Sequence, residues 1–388
     1  MGKILFVSST PLSLETLDGK EKRALSILQS LSKKNKIDIA CIDQNPKINR
    51  KKINFCNEET RFQINFFSRL FNMFLSLLKL KPLQNGYFFS KEMANFIDDN
   101  KDNYDTIIFH LIRCCQYLPS EFRGKTILEM TDLISVRDQQ IIKSLSIVNP
   151  LKYLYILERF LMKRYEKEVS NQFDKIVFIS RKELFEAGKF IDKDKIAIVE
   201  NTFDIQKKIF KFKKSNNKII FLGNINYLPN KLACREFSKK ILPRINEKYP
   251  NITFHIVGKI NTFDKFFFKF YRNVIVHGPI SNLKSVFINS ICGICNVKIA
   301  TGFQNKILNY MSYGIPTVAS KESFIKDLFK KNKDIGVCSN NQELIKIILQ
   351  LKENKGFANK LSKNSLNTVK NKFGSSKIYS KYQKIIQK

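Results

Sequence analysis

The sequence predicts an α/β protein of two parallel-sheet domains in series, facing each other across a cleft. Two observations carry this. Short apolar runs of strand length alternate with stretches of helical period, the pattern of parallel strands joined by helices. The opening theme also recurs: Lys3-Ile-Leu-Phe-Val-Ser-Ser9 is answered in mid-chain by Lys218-Ile-Ile-Phe-Leu-Gly-Asn224. With 388 residues, 43% of them apolar, the chain is long enough for two or three domains with substantial cores.

The elements follow in order. Lys3–Ser9 reads as a buried parallel strand. After a polar loop to about Gly19, residues 20–33 place Ala24, Ile27, Leu28 and Leu31 at helical spacing. Ile37–Ile42 is the second strand, and Thr106–Phe109, Lys125–Leu128, Lys175–Ile179 and Ile196–Val199 continue the series. Residues 206–217 are lysine-rich and polar, and read as the linker between a first domain at 1–205 and a second at 218–364. In the second, strands are expected at 218–224, 253–257, 274–276, 291–297 and 317–319. Residues 365–388 read as one closing polar helix that could cross back to the first domain.

Composition narrows the partners. The formal net charge of +34 suits nucleic acid, an anionic lipid surface or a phosphorylated ligand. Abundant Lys, Asn, Ile and Phe with no Trp also fits a coding bias towards A and T. The basic residues are spread along the chain and form no recognisable nucleic-acid motif, which argues against nucleic acid. The eight cysteines sit largely in apolar runs, as buried free thiols do. Cys292-Gly-Ile-Cys295 has CxxC spacing without a second pair or a histidine cluster, so no metal site is expected. Met1 leads straight into a strand, and no apolar run reaches the ~20 residues that span a bilayer. A cytoplasmic protein in a reducing compartment is the expectation.

The densest stretch is TGFQNKILNYMSYGIPTVAS, residues 301–320. Gly302 permits a tight bend. Gln304, Asn305 and Lys306 open a helix whose apolar face is Ile307, Leu308 and Met311. Gly314 and Pro316 end it. A helix start offers unpaired N–H groups and partial positive charge to an anion. A lysine there is poorly placed for the helix dipole alone, which suggests an external anion such as a diphosphate. An ordinary loop–helix–strand unit with a solvated lysine is the alternative.

Phe221-Leu-Gly-Asn-Ile-Asn-Tyr-Leu-Pro-Asn230, Ile256-Val-Gly258, Val276-His-Gly-Pro279 and the stretch from Gly302 to Thr317 form an ordered series. That series resembles the donor domain of family 4 glycosyltransferases with the GT-B fold, nearest to sugar transferases of bacterial exopolysaccharide systems. More weakly, Asp18-Gly19-Lys20 with Arg23, Tyr155–Arg159, Tyr165-Glu166, Phe178–Ser180 and Val199–Asn201 with Asp204 fall in the family's order. Two facing Rossmann-like domains are what this resemblance implies.

It also implies a sugar moved from a UDP- or GDP-linked donor to a glycan or lipid-linked acceptor, with retention at the anomeric carbon and no metal or other cofactor. Lys306 and the N–H groups of Gln304–Lys306 would hold the diphosphate, assisted by Gly223 and Asn224, with Gly258 and Gly302 in the donor loops. Where the family usually has a Glu for the ribose hydroxyls this chain has Asn309, with Thr301 at the earlier acidic position; Thr202 replaces a common glycine. An amide loses the charge-assisted strength of a carboxylate. His110, ending a strand, and Asp132 are candidates beside the reacting sugar; a strand-capping histidine and a turn or helix-capping aspartate are the plainer readings. Gly19 and Arg23 are candidate donor or acceptor contacts, or Arg23 is a surface arginine on a helix start.

Two aromatic–basic clusters bear on membranes. Phe66-Phe67, Leu70-Phe71, Phe74-Leu75 and Leu77-Leu78, flanked by Arg69, Lys79 and Lys81, fit an interfacial helix or one that covers the first sheet. Phe266–Phe268 with Lys265, Lys269 and Arg272 is the second. Two other function classes compete with transfer. A nucleotide-sugar epimerase would need more acid/base groups than the chain offers. A catalytically weakened binding or scaffold protein is suggested by Asn309.

Overall fold

The computed structural model describes residues 2–14, 19–44, 53–179, 182–201, 203, 206–280, 282–300 and 304–387. Two compact units emerge. The first comprises residues 1–16, 20–200 and 378–388; the second comprises 17–19 and 201–377.

In the first unit the order is β1 (Lys3–Ser8), α1 (Gly19–Leu31), β2 (Lys36–Ile42), β3 (Glu58–Phe62), α2 (Phe66–Leu78), α3 (Leu83–Tyr87), α4 (Lys91–Asn100) and β4 (Thr106–His110). It continues with β5 (Lys125–Thr131), α5 (Ile134–Ser144), α6 (Pro150–Ser170), β6 (Lys175–Phe178), α7 (Lys182–Ala187) and β7 (Ile196–Ile198). The strands make one seven-stranded sheet ordered β3-β2-β1-β4-β5-β6-β7, every pairing parallel.

In the second unit β8 (Lys218–Leu222), α8 (Leu228–Glu236), α9 (Leu242–Lys248), β9 (Thr253–Val257), α10 (Thr262–Phe268) and β10 (Val274–Gly278) are followed by α11 (Leu283–Phe287), β11 (Ser290–Cys295) and α12 (Asn305–Ser312). Then come β12 (Thr317–Ser320), β13 (Gly336–Cys338), α13 (Asn341–Glu353) and α14 (Lys355–Lys372); α15 (Ser375–Gln387) lies mostly in the first unit. The six-stranded sheet is ordered β10-β9-β8-β11-β12-β13 and is also parallel. Both orders run outward from the first strand and reverse beside it. Ligands of such sheets bind at the carboxyl ends of the strands flanking that reversal.

The cores follow from strand alternation. Leu5 and Val7 of β1 join Ile107, Phe109 and Leu128 on one face, covered by Met93 and Ile97 of α4 and Met162, Tyr165 and Val169 of α6. Ile4 and Phe6 join Ile108, Ile127 and Val177 on the other, beneath Ala24, Ile27, Leu28 and Leu31 of α1 and Tyr382 and Ile385 of α15. The thiols of Cys41, Cys114, Cys234, Cys292, Cys295 and Cys338 are buried and free.

Four details depart from the sequence reading. β3 (EETRF) lies at a sheet edge, where Arg61 pairs with Glu59 at 2.9 Å, so no apolar run marks it. β13 is only three residues long. The tail is two helices, α14 and α15, broken near Gly374, instead of one. Finally, α2 covers no sheet: none of its residues is buried.

Candidate functional site

In the second unit the switch strands are β8 and β11, and α12, which follows β11, packs against β11 and β12. Tyr310 holds α12 there. Its buried hydroxyl accepts from the Leu222 N–H (2.7 Å) at the end of β8 and donates to the Ile294 carbonyl (3.2 Å) in β11. The ring lies where Gly293 has no side chain; a β-carbon there would be 2.3 Å from it. The strand glycine thus lets the helix approach, and the tyrosine hydroxyl ties it to both strands.

Lys306 lies in that turn and is buried. Its Nζ donates to Asn230 Oδ1 at 2.5 Å and lies 4.0 Å from the centroid of the Phe221 ring. Among the described residues no carboxylate lies within ion-pair distance of it. Burial lowers its pKa, which the nearby Cys295 and Cys234 oppose. The solvated lysine of the plainer reading is therefore not what is found. This is a desolvated amine with neutral partners, and its charged form is unfavourable unless an anion completes it.

The glycines shape the space beside it. Gly223, at φ +153°, would place a β-carbon 3.4 Å from Lys306 Nζ and 2.9 Å from Asn230 Nδ2. Gly258, at φ +139°, would place one 2.0 Å from the Gly223 carbonyl oxygen. Both positions require glycine by backbone angle and by close approach. The Gly223 N–H bonds Val257 O and the Gly258 N–H bonds Gly278 O, so these two amides are engaged within the fold. Asn230 Nδ2 holds the Asn224 carbonyl at 2.9 Å, and the Asn224 side chain accepts from the Asn226 N–H at 3.1 Å.

Gln304 is the cap of α12 and makes no side-chain capping bond. The first-turn N–H groups of α12 have no partner in the helical ladder. Asn305 Oδ1 accepts from Asn201 Nδ2, so this side chain is tied to the segment after Val199. Asn309 Nδ2 donates to the Asn305 carbonyl at 3.2 Å, committing one amide proton to the helix. Gly302, with Thr301, Thr202, Asp18 and Asp204, lies outside the described residues.

A second polar cluster lies in the first unit, at the ends of β1, β4 and β5. Register aligns Ser8 with His110 and His110 with Glu129. His110 is buried against Phe6, ring centroids 5.6 Å apart. Burial, and then the charges of Arg23, Lys20 and Arg113, lower its pKa to about 3. It is a neutral imidazole near neutrality, and among the described residues its Nδ1 has no hydrogen-bond partner. Arg23 is not a surface arginine: it is buried, and its Nε bonds Glu129 Oε1 at 2.7 Å. Burial raises the Glu129 pKa against the pull of Arg23. Gly19 opens α1.

Asp132 follows β5 half-buried, its N–H bonded to the Met130 carbonyl. Nearby, Glu166 of α6 reaches the start of α5. Its buried carboxylate accepts from the Ser135 N–H at 3.0 Å and from the Ser135 hydroxyl at the start of α5. Burial pushes its pKa up to about 7.

Sequence reasoning passed over Glu129, Asn230 and Tyr310. A charged residue inside the apolar strand Ile127–Met130 was the available signal for Glu129. Nothing in the helical spacing of Ile307, Leu308 and Met311 marks Tyr310. Among the described residues no group of three or more His, Cys, Asp or Glu is placed to hold a metal. None of the described helices is long and apolar enough to cross a membrane.

Known proteins are similar to this chain. Residues 216–354 match the family model described as "Glycosyl transferases group 1". An uncharacterized 44.6 kDa protein in the cps region of Klebsiella pneumoniae is 26% identical over 191 residues, 48% of this chain and 46% of the relative. The match thus spans less than half the length of that relative. Sucrose-phosphate synthase from Thermosynechococcus elongatus superposes with a TM-score of 0.74 at 12% identity, covering 100% of this chain and 98% of that one. Anabaena HepE, crystallised with UDP and glucose, gives a TM-score of 0.69 at 14% identity with 100% of both chains covered. At such identities the structural likeness establishes the fold, and the family match adds the domain. The chain thus has the GT-B fold, and its residues 216–354 form a domain that matches the group 1 glycosyl transferases.

Proposed function

We propose that this chain transfers a sugar from a nucleotide-diphosphate donor to a glycan or lipid-linked acceptor in cell-surface polysaccharide synthesis. The observation that carries the reading is Lys306, a buried lysine with no anionic partner among the described residues, in the first turn of α12. Breaking a sugar–phosphate bond leaves charge on the departing diphosphate, and fixed cations and N–H dipoles aimed at that charge are an efficient catalyst. The second unit is assigned to the donor and the first to the acceptor. The cps-region relative supports the polysaccharide setting, and HepE, with UDP bound, supports UDP as the first nucleotide to try.

The proposed course is retaining. The acceptor hydroxyl forms its bond to the anomeric carbon on the face from which the diphosphate departs. The C–O bond to phosphate breaks, and the leaving phosphate oxygen takes the hydroxyl proton. That step needs no strong protein base, which suits a His110 held neutral, available as a hydrogen-bonding group. Lys306, the α12 amides and the glycine-lined space serve the diphosphate, and transfer is expected to persist in EDTA.

The test is transfer from UDP- and GDP-sugars to glycan and lipid-linked acceptors by wild type and by Lys306→Met. Wild type is expected to transfer from one nucleotide class with retention, and the variant to be slower by about 10²-fold or more. Equal turnover by the variant removes the assignment. Nucleotide binding without transfer favours the scaffold reading that Asn309 motivates, and sugar isomers formed without an acceptor favour an epimerase.

A further inference from the structure

The amphipathic helix α2 is inside out. Its polar residues face the protein: Arg69 bonds the Tyr87 hydroxyl at 3.3 Å and lies over that ring, and Asn72 Nδ2 bonds the Phe89 carbonyl at 3.1 Å. Its apolar residues face outward. Phe67, Leu70, Phe71, Phe74 and Leu78 recur at helical spacing and are all exposed, Phe67 at 81% and Phe74 at 56%. Soluble helices bury that stripe; here the anchoring contacts are polar and the greasy face is free.

The amino half of α6 repeats the arrangement. Leu151, Leu154, Leu157 and Phe160 are exposed, and Val148 in the preceding turn is 85% exposed. The two helices are joined through α3. Glu158 of α6 accepts the Leu83 and Gln84 N–H groups at its start, and Gly86 sits where any β-carbon would strike the Asn72 backbone, 2.2 Å away. Two outward apolar ridges are therefore linked through α3, more than scattered surface hydrophobes account for.

The charge around the ridges is one-sided. Residues 66–81 contain Arg69, Lys79 and Lys81 and no carboxylate. Residues 143–164 contain Lys143, Lys152, Arg159, Lys163 and Arg164 against Glu158, which is occupied at α3. Aromatic and aliphatic ridges rimmed by cations complement an anionic lipid surface. A second copy is a poor occupant, since two chains of formal charge +34 repel. At 13 residues α2 is about 20 Å long, too short to span a bilayer and suited to lying in its interface.

We propose that the face formed by α2 and the amino half of α6 docks the protein on an anionic membrane surface. The assignment goes beyond the transfer reading and stands without it. The aromatic cluster of α10 is a lesser candidate. Phe263, Phe266 and Phe270 are exposed there, but Phe268 is core and Phe267 lies under Arg235 at 4.5 Å.

The test is co-sedimentation of the full chain with phosphatidylcholine vesicles and with vesicles of phosphatidylcholine and phosphatidylglycerol at 7:3, at low and high salt. Wild type is expected to bind the anionic vesicles and to weaken as salt rises. Phe67→Ser/Phe71→Ser/Phe74→Ser, at exposed sites, should lose more than about tenfold in affinity with an unchanged melting temperature. No binding to anionic vesicles at low salt overturns the proposal. So does a triple variant that binds as wild type, or a wild-type dimer that the triple variant converts to monomer.

Discussion

At the residue scale, Lys306 shows what a sequence can and cannot carry. Its place at a helix start is legible, because Gly314 and Pro316 mark the end of that helix and the apolar spacing marks its face. Its burial is not, because burial is set by Phe221 and Asn230, 85 and 76 positions away in the chain. Replacing it by Met removes an unpaired buried charge and also the donor to Asn230. These effects oppose each other and are each about 1–3 kcal/mol, so the melting temperature should shift by only a few degrees while transfer collapses. Glu166 makes a separate prediction. Its folded pKa, about 7, lies above the usual carboxylate value near 4.5, so the fold holds its proton more tightly than the unfolded chain does. Stability from this group is present below pH 4.5 and is lost as pH rises through 7. Denaturant titrations should therefore find Glu166→Gln gaining on wild type by up to about 3 kcal/mol between pH 5 and pH 8.

At the element scale, the legible strands are the fully buried ones. β1, β4 and β8 are continuous apolar runs because both their faces are covered. β3 escapes notice because an edge strand that pairs Arg61 with Glu59 has no hydrophobic signature. The period of α2 reveals an apolar stripe without revealing which way the stripe turns; that depends on the partners of Arg69 and Asn72. The seating of α12 rests on one hydroxyl and one missing β-carbon. Tyr310→Phe leaves the Leu222 N–H buried without its partner, a loss of about 1–3 kcal/mol by chemical denaturation. Gly293→Ala drives a β-carbon into the Tyr310 ring and should cost about 1–3 kcal/mol or more, with weaker nucleotide binding as α12 shifts.

At the scale of the whole molecule, two parallel α/β units repeat one strand order, and in each the polar chemistry gathers where that order reverses. In the first unit the gathering is Arg23, His110 and Glu129; in the second it is Lys306, Asn230 and the two glycines. The His110 pKa near 3 predicts that the pH profile of transfer shows no inflection from this imidazole between pH 5 and 8. The central claim is that Lys306 awaits a diphosphate. Titration calorimetry of UDP, GDP and UMP against wild type and Lys306→Met, in EDTA, tests it most directly. One diphosphate is expected to bind wild type more than about tenfold tighter than UMP binds, and to show no measurable heat with the variant. Equal binding of that diphosphate by both proteins, or no diphosphate binding by wild type, would contradict the account.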